Sequence, residues 1–336
     1  MKILSFSSDN YVQDFFNSAS KGTIYYFDFI KARLNTDTIS IAKGYSIISC
    51  SIHDELNAQT LKTLHELGVK LIALRSSGYN NVDINAAIEL DITIAYVPTY
   101  SPYSVAEHAV ALILSLNRKI HKSYSRIRDG NFLVHNLLGF DLHGVTVGII
   151  GTGRIGTAFA HIMQGFGSQI ICYDKVINKE CLALGTKYVS LNELLSNSDI
   201  ISLHCPLLPE TYHIIGTRSL NLMRKGVMLI NTGRGGLINT KAVIKALKSG
   251  KIGYLGLDVY EAEQKLFYND LSEEIIDDDM FVRLRAFPNV LITSHQGYLT
   301  KQAYIDIANI TLQNIASFIT KKGQIYTISS SEKLEI

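Results

Sequence analysis

Short apolar runs rich in β-branched residues alternate with amphipathic stretches along most of the chain. KILSFS, YSIISCSI, VKLIALRSS and ITIAYVP read as strands, with AQTLKTLHELG and NVDINAAIELD as helices between them. Such alternation predicts parallel βαβ units and an open sheet covered by helices. Gly68, directly after LKTLHEL, stands where a helix C-terminal glycine belongs.

The pattern changes at residues 97–102. Ser101 is a candidate N-cap and Pro102 fits the first helical position, opening one long helix over YSVAEHAVALILSLNRKIHKSYSRIRDG. Val105, Ala109, Ile113 and Leu116 recur at helical spacing, which predicts one buried face and apolar surface for a second subunit. The segment reads as a crossover between domains. A second alternating series starts at Val145: VTVGIIG, QIICYD, DIISLHCP, VMLINT, YLGLDVY and NVLITSH are six strand candidates. Ser190 with Glu193 forms a capping box, and Asn239 opens a helix that Gly250 closes. Six strands with helices in the intervals make a full dinucleotide-binding sheet. Residues 262–287 are acidic and irregular and read as a surface excursion, after which TKQAYIDIANITLQNIASFIT reads as a helix returning to the first domain. A serine triplet, Ser329 to Ser331, lies near the tail.

Composition narrows the class. The 336 residues suggest two domains at roughly 150 residues each. With 47% apolar and 18% charged residues there is material for packed cores. The 32 Lys+Arg against 30 Asp+Glu give no basic field for nucleic acid. Cys50, Cys172, Cys181 and Cys205 form no C-x-x-C pair, and no apolar run reaches the roughly 18 residues of a membrane span. A soluble, cytoplasmic protein with no membrane partner is expected.

The strongest motif is Gly151-Thr152-Gly153-Arg154-Ile155-Gly156, which follows the strand VTVGII and precedes the helical pattern TAFAHIMQGFG. Strand, turn and helix are the context in which G-x-G-x-x-G binds a dinucleotide. Gly151 suits the tight turn, Gly153 the close approach of backbone N–H groups to a pyrophosphate, and Gly156 the packing of helix on strand. QIICYD ends in Asp174, 18 residues after Gly156, where an acid accepts from the ribose hydroxyls and repels a 2′-phosphate. NAD is therefore the expected cofactor, with Lys175 alongside.

His204, Arg234, Asp258 and His295 all fall at the carboxyl ends of strands, the edge where open α/β sheets bind ligands. Hydride transfer to a keto acid needs a cation for the carboxylate, an acid for the carbonyl oxygen and a group that favours the charged acid. The planar fork of Arg234 suits the first and His295 the second. Glu261 or Glu263 suits the third, and spacing leaves both open. No step calls for a metal.

These residues sit in IALRSSGYNNVD, VPTYSPYSVAEHAV, GVTVGIIGTGRIG, SLHCPLLPETYH, LINTGRGGLI, GLDVYEAE and LITSHQGYLT. In that order they resemble the D-isomer-specific 2-hydroxyacid dehydrogenases, most closely the fermentative NAD-dependent bacterial group, over nearly the whole chain. The resemblance implies two doubly wound parallel-sheet domains of α/β class. One is a flavodoxin-like catalytic domain, 1–101 plus 298–336, and the other an inserted Rossmann coenzyme domain, 102–297, with the site in the cleft between them. It implies Arg234 as carboxylate binder, His295 as proton donor and Glu263 as its partner. Ser77, Gly78, Tyr100 and Tyr298 match substrate contacts. Arg154, Ile155, Asp174, Cys205, Pro206, Thr211, Thr232, Gly233 and Asp258 match positions that contact NAD. Two departures stand out. Gln296-Gly297-Tyr298 follows His295 where relatives commonly carry alanine before the aromatic, and Ser51 falls where an aromatic often lines the pocket.

The expected activity is NADH-dependent reduction of pyruvate to D-lactate by a homodimer or homotetramer. A small residue at Ser51 also admits a bulkier 2-keto acid of the hydroxyisocaproate or phenyllactate type. A third reading, an NAD(H)-sensing corepressor, lacks any recognition arm beyond the two domains. The five prolines are placed to match: Pro98 and Pro102 bracket Tyr100, Pro206 and Pro209 shape one loop, and Pro288 precedes the strand that delivers His295.

Overall fold

The computed structural model describes residues 1–328, so the serine triplet at 329–331 lies outside the described residues. The chain divides into two compact units, one of Met1–Ser101 with the chain from Leu299, the other of Pro102–Tyr298.

The first unit holds strands β1 (Lys2–Ser5), β2 (Tyr26–Phe29), β3 (Ile47–Cys50), β4 (Leu71–Leu74) and β5 (Thr93–Ala95). All pair in parallel in the order β2-β1-β3-β4-β5, the flavodoxin-like doubly wound order. The register sets Leu4 beside Ile48, Ile48 beside Ile72 and Ile72 beside Ile94, an aliphatic row on one face. Ile47 and Leu71 pair on the opposite face, so both faces are buried and the central strands read as continuous apolar runs. β2 escaped the pattern because it is an edge strand, YFDF, part-exposed throughout, with Asp28 accepting from the Tyr45 hydroxyl at 2.7 Å. The helix Lys301–Thr320 belongs to this unit. Tyr304 stacks on Phe15 at 5.2 Å, and buried Asn314 bonds the Tyr96 carbonyl and the Tyr326 N–H, both at 2.9 Å.

The second unit holds β6 (Thr146–Ile150), β7 (Gln169–Tyr173), β8 (Lys187–Tyr188), β9 (Ile200–Leu203), β10 (Val227–Asn231), β11 (Ile252–Leu257) and β12 (Val290–Ile292). Their order is β12-β11-β10-β9-β6-β7-β8, all parallel, the Rossmann arrangement with one strand added at β12. The chain reverses direction across the sheet between β6 and β9, which places a ligand crevice at their carboxyl ends. Two-residue β8 is too short to show a period, hence six expected strands against seven. The caps fall as expected: Ser190 accepts from Glu193 N at 3.2 Å and Asn239 from Ala242 N at 2.9 Å, and Gly250 has φ +69°.

Three expectations change. The long crossover helix is two helices, Pro102–Arg118 and Ile120–Arg128, broken at Lys119 with φ +52°. There the Lys119 ammonium bonds the Leu138 carbonyl, and buried Asn117 pairs both ways with the Phe140 backbone, at 2.7 and 2.8 Å. The Val105–Leu116 stripe itself is taken up by the buried face of the helix. Val105, Ala109, Ile113 and Leu116 are 6% exposed or less; the last three belong to the core of this unit, where the helix packs against the helix Arg154–Gly165 and strands β10 and β11. Gly256 permits this approach, since a Cβ there would stand 2.8 Å from Ile230 and 3.2 Å from Leu116. The apolar exposed surface lies further on, at Phe132, Leu133, Val134 and Leu138. Residues 262–287 are likewise more than a surface excursion, because Phe267 and Leu284 enter the core.

Candidate active site

The glycine motif lies between β6 and the helix Arg154–Gly165, and its three glycines meet three constraints. Gly151, at φ +96°, leaves no room for a Cβ, which would lie 2.4 Å from Cys205 N beyond β9. A Cβ on Gly156 would lie 2.0 Å from the Gly151 carbonyl. At Gly153 a Cβ would meet nothing within 4 Å. Gly153 is the N-cap and offers no side-chain cap, so the first helical N–H groups face open space with the positive end of the helix dipole behind them. Arg154 and Ile155 form the first helical turn there.

Asp174 follows β7 and turns onto this loop, accepting from Thr152 N at 2.5 Å and from the Thr152 hydroxyl at 3.0 Å. Tyr188 donates to that hydroxyl at 2.8 Å, and Asn178 donates to the Thr152 carbonyl at 2.8 Å. The loop is thus braced from β7 and β8. Lys175 pairs with Glu210 at 3.3 Å on the surface. Across the switch point, Thr211 closes the loop after β9 by donating to the Pro206 carbonyl and accepting from Leu208 N, both at 2.7 Å. Burial pushes the Cys205 thiol up to about 11, so it stays protonated at neutral pH. After β10, the buried Thr232 hydroxyl has no partner. An uncapped helix terminus, space over Gly153 and an unpartnered hydroxyl across the crevice fit a dinucleotide.

Arg234 stands at the end of a turn that starts with Thr232 and Gly233. Buried Asn231 closes the turn from below, donating to the Arg234 carbonyl at 2.8 Å and accepting from Gly233 N at 3.0 Å. Beyond β12, His295 Nδ1 lies 2.8 Å from Glu263 Oε1, and the other glutamate oxygen accepts from Tyr260 N at 2.8 Å. Glu261 is turned elsewhere, 2.5 Å from His213 Nε2. A carboxylate accepting at Nδ1 places a proton there, and this bond does not use Nε2.

His295 has φ +53°, a left-handed conformation uncommon for a non-glycine residue. Asp258 holds it there. The Asp258 carbonyl accepts from His295 N at 2.7 Å, and its carboxylate accepts from Gln296 N at 2.9 Å and Gly297 N at 2.8 Å. Thr293 donates to the same carboxylate at 2.5 Å, and His108 Nε2 lies 3.2 Å away. Burial alone raises the Asp258 carboxyl, but the bonds from His108, Thr293 and Gln296 outweigh it and hold the group below its ordinary range. His108 and Thr293 were not foreseen. The one trace of His108 in the sequence is a polar residue on the apolar face of its helix.

His204 does not join the crevice. Its imidazole lies 2.9 Å from the Ser202 hydroxyl and packs on Phe159 at 4.9 Å, and burial lowers it to about 3. In the first unit, Ser77 and Gly78 lie in the loop after β4, where Ser76 donates to the Gly78 carbonyl at 2.8 Å. Beneath it the buried Arg75 guanidinium donates to the Ser5 and Ser49 hydroxyls and to the Phe6 and Ser7 carbonyls. Asn81 donates to the Ser51 carbonyl at 3.1 Å, joining the end of β3 to this loop. Tyr100 is half-buried between β5 and the helix at Pro102, and Tyr298, also half-buried, ends the second unit.

The family described as D-isomer specific 2-hydroxyacid dehydrogenase, NAD binding domain, matches residues 110–297, more than half of the chain. A 2-hydroxyacid dehydrogenase homolog of Schizosaccharomyces pombe is 47% identical over 321 residues, 95% of this chain and 97% of its own length. The D-lactate dehydrogenase of Escherichia coli is 43% identical, with 96% of this chain and 98% of its own covered. Among solved structures, one described as the pyruvate reductase of Chlamydomonas reinhardtii superposes with a TM-score of 0.92 at 42% identity, covering 96% of this chain and 97% of that one. With that coverage and this sheet order, the chain belongs to the D-isomer-specific 2-hydroxyacid dehydrogenases, and its cofactor is NAD.

Proposed function

We propose that this chain reduces pyruvate to D-lactate with NADH, reversibly. The observation that carries the reading is His295 bonded through Nδ1 to Glu263, with Nε2 left available, on the same sheet edge as Arg234 and the glycine loop. NAD(H), held by the 151–156 loop, Asp174 and the residues after β9 and β10, supplies or takes up the hydride. The Arg234 fork binds the keto-acid carboxylate, and in the first unit the loop after β4 offers the backbone N–H groups of Ser77 and Gly78 to substrate. His295 gives its Nε2 proton to the ketone oxygen, and the Glu263 bond at Nδ1 holds the ring in the orientation that this needs. Asp258 contacts the cofactor, and Tyr100 and Tyr298 border the substrate.

Two names among the relatives, D-lactate dehydrogenase and pyruvate reductase, support pyruvate as substrate. Chiral analysis of the product from pyruvate and NADH tests this. D-Lactate is expected, and formation of L-lactate or no turnover at all refutes it. A bulkier keto acid is favoured by one observation, small Ser51 at the end of β3 beside the substrate loop. Comparing kcat/KM for pyruvate, 2-ketoisocaproate and phenylpyruvate decides between them, and Ser51→Tyr should narrow the range toward pyruvate.

The homo-oligomer keeps its place as a proposal with a different surface. Phe132, Leu133, Val134 and Leu138 are each more than 70% exposed, next to exposed Ile120, Tyr124 and Ile127. A patch of this kind suits a second copy, and sedimentation of the protein and of Leu138→Glu reads its contribution. Among the described residues no helix is long and apolar enough to cross a membrane.

A further inference from the structure

The Arg234 turn is gripped from two sides. On one side the loop after β9 reaches it: His213 N donates to the Gly236 carbonyl at 2.8 Å, and a Cβ on Gly236 would stand 3.0 Å from Leu207. On the other side lies the chain after β11. A Cβ on Gly235 would stand 2.2 Å from the Tyr260 carbonyl and 2.5 Å from Glu261 N, so the turn is pressed against that peptide. His213 and Glu261 join the two sides above the turn at 2.5 Å, with side chains only 24% and 27% exposed.

The bond is directional. Asn239 Oδ1 is committed to Ala242 N at 2.9 Å as a helix cap, so its amide nitrogen faces His213 Nδ1 at 3.2 Å and donates to it. That specifies the Nε2–H tautomer, which donates to Glu261. The other Glu261 oxygen accepts from the Thr240 hydroxyl at 2.8 Å and from Thr240 N at 3.2 Å. Burial alone would raise the Glu261 carboxyl, and the bonds from His213 and Thr240 outweigh it, so it is ionised at neutral pH. His213 adopts φ +52°, with Tyr212 stacked on its ring at 3.9 Å. Strain of that kind persists only where surrounding contacts impose it.

We propose that the His213–Glu261 hydrogen bond is a buckle that fixes the Arg234 turn, making both residues positioning residues for substrate carboxylate binding. The proposal rests on Arg234 as the carboxylate holder. It predicts that opening the buckle loosens the guanidinium and weakens the keto acid more than it slows the chemistry.

The test uses the full chain with NADH. His213→Asn removes the Nε2 donor, and His213→Gln places an amide N–H where Nε2 stood. For His213→Asn, KM for pyruvate should rise about tenfold, the order of one charge-assisted hydrogen bond, with kcat within about threefold of the parent. His213→Gln should recover most of that loss, which a merely structural role in the loop would not require. Glu261→Gln serves the same comparison if His213→Asn does not fold. Unchanged KM, an equal loss in kcat, or a His213→Gln variant no better than His213→Asn overturns the buckle while the parent still makes D-lactate. A parent that turns over no 2-keto acid overturns the functional reading and the buckle with it.

Discussion

Of the three motif glycines, only Gly153 owes its identity to something other than the protein. An alanine there fits the backbone, φ −67° and ψ −167°, and its Cβ meets nothing within 4 Å. Gly153→Ala should therefore melt within about 2 °C of the parent, as surface changes without lost contacts do. If the cofactor's pyrophosphate lies over this helix start, as we propose, the methyl group would stand in its way. Losing one charge-assisted hydrogen bond, about 1.5–3 kcal/mol, should weaken NADH roughly 10- to 100-fold. Gly156→Ala is the opposite case. Its Cβ would sit 2.0 Å from a backbone carbonyl, so helix and strand must part by more than an ångström. Overpacking costs about 1–3 kcal/mol, and in a unit of this size each kcal/mol lowers the melting temperature by roughly 2–4 °C. Thermal melts without cofactor and NADH fluorescence titrations separate the two effects. A Gly153→Ala protein that melts as low as Gly156→Ala, or folds and binds NADH with unchanged Kd, refutes the assignment of that open space to the cofactor.

Two further outcomes concern histidines, one in the site and one outside it. His295→Gln should lower kcat for pyruvate about 100-fold or more, read by steady-state NADH oxidation, and a smaller change would reassign the proton donor. His204 gives a pH signature in stability: its folded value, lowered by burial to about 3, lies below the ordinary 6.5. Between those values the unfolded chain binds a proton that the folded one does not. Stability is therefore complete above about pH 6.5 and falls by up to about 1.4 kcal/mol per pH unit below it. Denaturant melts from pH 7.5 to 5 should show this slope in the parent and a shallower one in His204→Asn. Equal slopes would place the ring in solvent.

The sheet cores were legible because strands buried on both faces are written as uninterrupted apolar runs, as in TVGII and LIAL. The edges were not. YFDF and KY are short and part-exposed, and a strand defined by its neighbour's backbone leaves little trace in its own side chains. The helix break at Lys119 was hidden for a related reason. The residues that stabilise it, Leu138 and Phe140, lie about twenty positions downstream, so local periodicity runs on through the break.

The two glutamates show where spacing stops being informative. Glu261 and Glu263 are two residues apart in VYEAEQK, and either could meet a histidine more than thirty positions away on either side. What separates them is the short turn Glu263–Lys265, which aims one carboxylate at His295 and leaves the other beside Thr240 and His213. Each carboxylate also caps backbone of its own, Tyr260 N for Glu263 and Thr240 N for Glu261. Those backbone donors are what fix the choice: exchanging the partners would strand a buried N–H on each side, at about 1–3 kcal/mol apiece. The assignment is thus made by the hydrogen-bonding needs of the main chain, which the side-chain sequence does not display.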